Sequence, residues 1–333
     1  MHLSNNAHPP TFGSRPMKLD QPHFEKTAVE YVRQAVLRTL QIGDSFGTKM
    51  EAGGSSHVGT ADIANTDLAE AAFSQFPIKM IIEESLPPFS YWSSDEPILF
   101  VDPVDGSSEV GCGGAQFSAA VSLYGPDGIP IFSAAATPGL RPIFRTSNGR
   151  FDGFAGQMGA VIFGGPSGTW LSPLWPSQTD SAIRVALSTP RLPSSGPYTN
   201  VALDPNAASI CGLRKGSKLI KAGLSRMPFS NIFSQMQVVL GQADAATLGP
   251  AQRLQNTPSS GQGVSGPKAW DLLIPAALGV GLSYSNRVAS VASLNKAHCY
   301  DSFVLRERWY LSHPDVLSNY VDGINELISQ DNQ

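Results

Sequence analysis

Cysteine is nearly missing. The 333 residues hold only Cys112, Cys211 and Cys299, with no C-x-x-C pair among them. So sparse and odd a set excludes a disulfide framework and a thiolate zinc centre, and it fits a reducing compartment. Charge is also scarce, with 15% of residues charged and a formal net charge of −4. No basic cluster is interleaved with aromatics, which argues against a nucleic-acid polymer or an anionic membrane surface as partner. Long apolar runs are lacking too, so no segment reads as a membrane span. Residues 1–15 are polar and contain Pro9 and Pro10, and they read as neither signal peptide nor anchor. The expectation is a soluble, cytoplasmic protein with a loose tail over 1–18. No internal repeat or low-complexity block is visible.

What is present is apolar material, 41% of the chain, broken by 32 glycines and 26 prolines. That is enough for one large domain or two ordinary ones with many turns. Helical spacing of Ala28, Tyr31, Val32, Ala35, Val36 and Leu40 predicts a first helix over 22–40, ended by Gly43. A mobile loop is expected from Lys49 through Ser56, then a helix from Ile63 to Phe76. Short apolar runs at 79–82, 98–101, 117–124 and 129–136 read as strands. The chain looks irregular after Gly149, until a strand at 184–188 opens a second half. Helices are expected over 229–240, after Asp271, and from about Pro314 to Ile328. A long Gly/Ser/Gln/Pro-rich loop separates the first two of these, over 249–268. Strands mixed with helices throughout give a layered α/β class, divided into an α+β half over 19–180 and an α/β half over 181–333.

The chemistry gathers at Asp102-Pro103-Val104-Asp105-Gly106-Ser107-Ser108-Glu109. An apolar strand runs into two aspartates three apart, with a carbonyl between them at Val104. This is an all-oxygen donor set of the kind hard cations require. Gly106 and Ser107 would present backbone N–H groups at a turn, a favourable seat for a phosphate. Three more acidic positions follow apolar runs or open helices: Glu83-Glu84, Asp62 and Asp271. An acidic turn, a solvated strand end or a simple N-cap would account for each singly; together, in this order, they suggest one site. No His or Cys cluster competes, and no D-x-D-x-D-G loop closing on a glutamate marks a calcium module.

In its motifs the chain resembles the inositol monophosphatase superfamily, which also holds 3′(2′),5′-bisphosphate nucleotidases and fructose-bisphosphatases. The matching residues are Thr60-Ala61-Asp62, Glu83-Glu84, Asp102-Pro103-Val104-Asp105-Gly106-Ser107 and Trp270-Asp271, with a weaker match at Gly241-Gln242-Ala243-Asp244. The resemblance spans roughly residues 22–290. It implies a five-layer αβαβα sandwich and a Mg²⁺-dependent phosphomonoesterase with two or three ions. Glu83, Asp102 and the Val104 carbonyl would bind the first ion, and Asp102, Asp105 and Asp271 the second. A third would share Glu83. Ser107, paired with Asp62, would orient and deprotonate the attacking water, and the Gly106 and Ser107 N–H groups would hold the phosphate. Glu84 and Lys49 are further candidates. Relatives are commonly lithium-sensitive dimers.

Departures bear on the substrate. Leu272-Leu273-Ile274-Pro275 replaces the small residues that usually follow W-D, and the 249–268 loop replaces a short connection. Ser107-Ser108 is closer to the fructose-bisphosphatase style, whereas Asp271 is that of inositol phosphatases and nucleotidases. Arg214, Lys215, Lys218 and Lys221 could supply charge for a second phosphate, or form a solvated face. A sugar or cyclitol phosphate is the first expectation. The alternatives are 3′-phosphoadenosine 5′-phosphate as substrate, or a weakly catalytic relative that binds phosphorylated ligands.

Overall fold

A computed structural model describes residues 19–43, 46–51, 54–92, 95–165, 168–178, 180–185, 201–203, 225–226, 230–243, 245–248, 252–253, 264–265, 268–272, 283–285, 290–291, 296–299, 303–306 and 309–312. The expected N-terminal tail, the C-terminal helix over 314–328, the helix after Asp271, most of the 249–268 loop, and the basic residues 214–221 lie outside these.

Helix α1 (Gln21–Ile42) begins where the Asp20 side chain accepts from the His23 N–H, and Gly43 ends it with φ 64°. Its inward stripe is Phe24, Ala28, Tyr31, Val32, Ala35, Val36 and Thr39. The expected last member of that stripe, Leu40, is instead 46% exposed. Thr39 takes the buried place because its hydroxyl donates back to the Ala35 carbonyl at 2.9 Å, satisfying itself within the helix.

The segment expected to be a mobile loop is an antiparallel hairpin, β1 (Phe46–Glu51) and β2 (Gly54–Gly59), paired from Phe46↔Gly59 to Glu51↔Gly54. It leads directly into α2 (Thr60–Phe73), which starts earlier than expected and leaves Ile63 exposed. Strand β3 (Lys79–Ile82) follows, then a 3-10 turn over Glu83–Ser85. Next come β4 (Ile98–Asp105), a short helix α3 (Ser107–Gly111), β5 (Ser118–Tyr124) and β6 (Pro130–Thr137).

The stretch after Gly149 is more regular than its composition suggests. It holds β8 (Phe151–Gly153, pairing β7, Ile143–Arg145), β9 (Ala160–Gly165) and β10 (Gly168–Pro173). Gly164, at φ 152°, stands in this pairing because a Cβ there would lie 2.1 Å from the Gly168 carbonyl oxygen. Such glycines make a real strand look like a loop in sequence. Strand β11 (Ile183–Arg184) pairs with β10 at the edge of the first sheet.

The first sheet runs β11-β10-β9-β6-β5-β4-β3, with β3 and β4 parallel and every other pair antiparallel. The remaining strands are β12 (Val201–Leu203), β13 (Ser225–Arg226), β14 (Ala245–Leu248), β15 (Gln252–Arg253), β16 (Val264–Ser265), β17 (Ser283–Ser285), β18 (Ser290–Val291) and β19 (Trp309–Ser312). Apart from the β15–β16 pair, they form a mixed second sheet in the order β13-β12-β14-β19-β17-β18. Helix α4 (Asn231–Val239) lies between the sheets, against β5 and β6 on one side and β12, β14 and β19 on the other.

Alternation along the central strands explains the layering. Leu99, Val101, Val121 and Leu123 face α1 and α2 in one core. Ile98, Phe100 and Tyr124 face the opposite way, into a second core with Val238, Trp270, Trp309 and Leu311. A sheet apolar on both faces must be covered on both. Four layers are thus described, in the order α, β, α, β; the fifth expected layer falls outside the described residues.

Candidate active site

Asp102 and Asp105 stand three apart, a separation that in a regular strand would send them to opposite faces. The structure removes that conflict with a bulge. Asp102 pairs with Ala120 and Asp105 with Ser118, so three steps on β4 match two on β5. Pro103, which has no N–H to give the ladder, occupies the irregular stretch. Both carboxylates therefore emerge on the face that looks toward α4 and the 3-10 turn Ala269–Leu272. There they meet Asp271. One oxygen from each of Asp102, Asp105 and Asp271 lies within 4.8 Å of the others, and all three residues are buried.

Each of these side chains is held differently. Asp105 accepts at Oδ2 from the Ser230 hydroxyl (2.5 Å) and the Ile232 N–H (2.6 Å), and at Oδ1 from the Asn231 N–H (3.4 Å). It thus caps the N-terminus of α4, where orphan N–H groups and the helix dipole favour an anion. The Asp271 Oδ2 accepts from the Lys268 N–H at 2.6 Å, and the Asp271 carbonyl accepts from the Gln235 side-chain amide. Asp102 Oδ1 is buried and has no hydrogen-bond partner among the described residues.

Burial is the main reason the carboxyl of Asp102 is pushed well above the ordinary carboxylate range, with Glu83, Asp105 and Asp271 adding repulsion. Asp271 is raised for the same first reason, then by Asp105 and Glu83, against the lowering effect of the Lys268 N–H and charge. Converging buried carboxylates, one with an orphaned oxygen, make a poor site for themselves and a good one for a hard divalent cation.

Asp62 approaches from α2. Its Oδ2 accepts from the Gly59 N–H at 2.7 Å, and its Oδ1 from the Ser107 hydroxyl at 3.1 Å. It is therefore the third residue of the helix reaching back to the cap, not the cap itself. Burial pushes it up to about 6, opposed by the Gly59 hydrogen bond and reinforced by the charge of Glu84. Ser107 Oγ is also 3.1 Å from the Val104 carbonyl oxygen. With one proton, the hydroxyl serves one of these acceptors at a time.

Gly106 precedes Ser107 at φ 92°, a left-handed conformation, and a Cβ there would sit 3.1 Å from Ser230 Cβ. Only glycine fits both demands without strain. It turns the chain out of β4 so that α3 begins with the N–H groups that a first helical turn leaves without intrahelical partners.

The structure thus brings Asp62, Ser107, Val104, Asp102, Asp105, Gly106 and Asp271 into one place. Glu83 and Glu84, partly buried at the end of β3, border it through charge: Glu83 is the strongest repulsive neighbour of Asp102, and Glu84 acts on Asp62. Glu83 is not among the three carboxylates within 4.8 Å of one another. Lys49 stands in β1, opposite Ser56, in the hairpin whose second strand runs beside α3. Asp244 lies outside the described residues.

Three participants escape sequence reasoning. Ser230 and the first turn of α4 hold Asp105, and Gln235 holds the Asp271 backbone. Asn65 is fully buried beneath the site, its amide donating to the Ala35 carbonyl (3.2 Å), Thr39 Oγ1 (3.0 Å) and the Pro103 carbonyl (3.4 Å). The helix expected over 229–240 placed Ser230 within it rather than at its cap, and the sequence carried no signal for the other two.

No family model matches the sequence, and no curated protein matches it. Solved structures do. An inositol monophosphatase (IMPase) of Thermotoga maritima matches with a TM-score of 0.56 and 11% identity over 94% of this chain and 100% of that one. A staphylococcal IMPase-I complexed with products gives a TM-score of 0.55 and 13% identity, over 92% and 96%. CysQ from Bacteroides thetaiotaomicron, a bacterial member of the inositol monophosphatase family, gives 0.54 and 13%, over 87% and 97%. The chain therefore shares the fold of these inositol monophosphatase structures, as its motifs led one to expect.

Proposed function

We propose that the chain is a Mg²⁺-dependent phosphomonoesterase acting on a small phosphorylated metabolite, a sugar or cyclitol phosphate by first choice. The observation that carries the reading is the convergence of Asp102, Asp105 and Asp271 beside the Asp62–Ser107 pair. The fold it shares with IMPases, one of them solved with its products, supports a hydrolase of this kind.

Phosphate-ester hydrolysis needs charge neutralisation and an in-line nucleophile more than covalent chemistry. Bound Mg²⁺ would supply that neutralisation and acidify a water. Asp102, Asp105, Asp271, Glu83 and the Val104 carbonyl are the donors that would hold two or three ions. The oxygen-only set and the orphaned Asp102 Oδ1 fit that hard cation. Ser107 donates to Asp62 and offers its lone pairs to a water. Asp62 then receives the proton, its affinity raised by burial toward the working range of a general base. The N–H groups of Gly106 and Ser107 would hold the phosphate oxygens, with Lys49 and Glu84 at the margin.

The same proposal includes a cytoplasmic homodimer inhibited by lithium, with the half over 19–180 carrying most of the ligands and that over 181–333 contributing Asp271. No helix among the described residues is long and apolar enough to cross a membrane.

The decisive experiment is phosphate release from a panel of inositol phosphates, hexose mono- and bisphosphates and 3′-phosphoadenosine 5′-phosphate, with Mg²⁺ and with excess EDTA. Mg²⁺-dependent release from one member is expected. Rates unaffected by EDTA would refute the metal chemistry. A chain that binds Mg²⁺ but releases phosphate from none would be a binding relative.

A further inference from the structure

Helix α2 carries a polar residue where its inward stripe calls for an apolar one. Ala61, Asp62, Asn65, Thr66, Ala69 and Phe73 face inward, and Asn65 sits in the middle of that stripe, fully buried. Its side-chain carbonyl Oδ1 has no hydrogen-bond partner among the described residues. An unpaired buried acceptor costs stability, so an apolar side chain of that size would serve the fold better. Local rules are broken in this way where a site needs the residue.

The amide end of the side chain shows what the need is. Nδ2 has two protons and three acceptors within reach, on Ala35, Thr39 and Pro103. The two on α1 can do without it, because the Thr39 hydroxyl already donates to the Ala35 carbonyl at 2.9 Å. Pro103 is different. It lies in the bulge between Asp102 and Asp105, where the register of β4 against β5 gives it no partner. Asn65 reaches its carbonyl from α2 at 3.4 Å. The next carbonyl, that of Val104, is met by the Ser107 hydroxyl, which also reaches Asp62. Helix α2 therefore addresses the bulge twice, from Asp62 and Asn65, three residues apart on one face. Because a peptide unit is planar, holding the Pro103 carbonyl fixes the plane that leads into Val104, in the link between the two aspartates.

We infer that Asn65 is a positioning residue for the acidic site. Through Pro103 it holds the bulge in the shape that turns Asp102 and Asp105 onto one face, in fixed relation to Asp62 on its own helix. The inference rests on reading Asp102, Asp105 and Asp271 as Mg²⁺ ligands, and it adds a residue that touches no ion yet sets the affinity for one. The Tyr31 hydroxyl donates to the Asn65 backbone carbonyl at 3.3 Å, so α1 steadies the residue from behind.

The test is calorimetric titration with Mg²⁺ of the wild type, Asn65→Leu, Asn65→Ala and Thr39→Val, with a thermal melt of each in EDTA. Both Asn65 variants should bind Mg²⁺ about 10- to 100-fold more weakly, the range for residues that orient metal ligands. At saturating Mg²⁺ their kcat should fall with little change in KM, because the Gly106 and Ser107 N–H groups are untouched. Thr39→Val removes an α1 acceptor but leaves the Pro103 contact, so it should melt lower and bind Mg²⁺ as the wild type does. Asn65 variants that melt lower but keep wild-type Mg²⁺ affinity would overturn the inference, leaving a residue that only fastens helices. Loss of the folded state in both would overturn it as well, making Asn65 a requirement of folding. A wild type that binds no Mg²⁺ would remove the phosphatase reading and this inference together, whereas a wild type that binds it no better than the variants would remove this inference alone.

Discussion

The Ser230 hydroxyl donates to Asp105 Oδ2 at 2.5 Å, joining the end of a first-sheet strand to the cap of the helix between the sheets. The same hydroxyl accepts from the Phe233 N–H at 2.9 Å, so one side chain both caps α4 and orients a carboxylate of the acidic cluster.

Ser230→Ala should therefore cost about 1–2 kcal/mol of stability, the range of a lost N-cap. It should also weaken Mg²⁺ binding several-fold, because Asp105 loses a restraint. Chemical denaturation and calorimetric titration would read the two effects separately. A stability loss with unchanged Mg²⁺ affinity would show that the hydroxyl serves only the helix.

Asp102→Asn should abolish phosphatase activity yet stabilise the metal-free protein. The Asp102 carboxyl is raised above its unfolded value by burial and by Glu83, so its contribution to stability falls as pH rises past the ordinary aspartate range. Asparagine removes that charge. In EDTA at pH 7 the variant should melt above the wild type, and Mg²⁺ should raise the melting temperature of the wild type alone. Equal melting temperatures in EDTA would contradict the electrostatic account.

Acid should switch the enzyme off through Asp62. With its carboxyl pushed up to about 6, the residue is proton-loaded below that pH and cannot receive a proton from water. Bound cations would lower the value, so kcat/KM should fall on the acid side at or below pH 6. The same shift has a structural counterpart. Stability from Asp62 is fully present below the unfolded value and is lost as pH rises through 6. A pH–rate profile flat from pH 4 to 8 would exclude Asp62 as the base.

Gly106→Ala should cost about 1–3 kcal/mol, since a left-handed residue gains a side chain directed at Ser230 Cβ. Activity should drop further than stability explains, because the first N–H groups of α3 shift with it. Denaturation midpoints and rates under folded conditions would check both.

The acidic residues were legible in sequence because each follows an apolar run or opens a helix. Their convergence was not. Asp102 and Asp105 share a face only through a bulge at Pro103, and a bulge leaves no periodic signature. Ser230 fell inside the helix expected over 229–240, and nothing local marked it as the partner of Asp105, 125 residues away. The hairpin over 46–59 hid behind glycine and serine, which strand propensity discounts, although pairing with a neighbour overrides it. Leu40 followed the helical stripe by type but lost its place to Thr39, whose hydroxyl is satisfied inside its own helix.

The bond between Ser230 and Asp105 also sets an order of events during synthesis. It closes 125 residues of chain, and such distant contacts form late because the entropy of closing them must be met first. A nascent chain that has completed β4, β5 and β6 already owns Asp62, Asp102 and Asp105, but Asp105 still lacks the helix that restrains it. Retention of Mg²⁺ would then be acquired only as the last third of the chain arrives, making metal capture a marker of finished folding rather than a step that starts it.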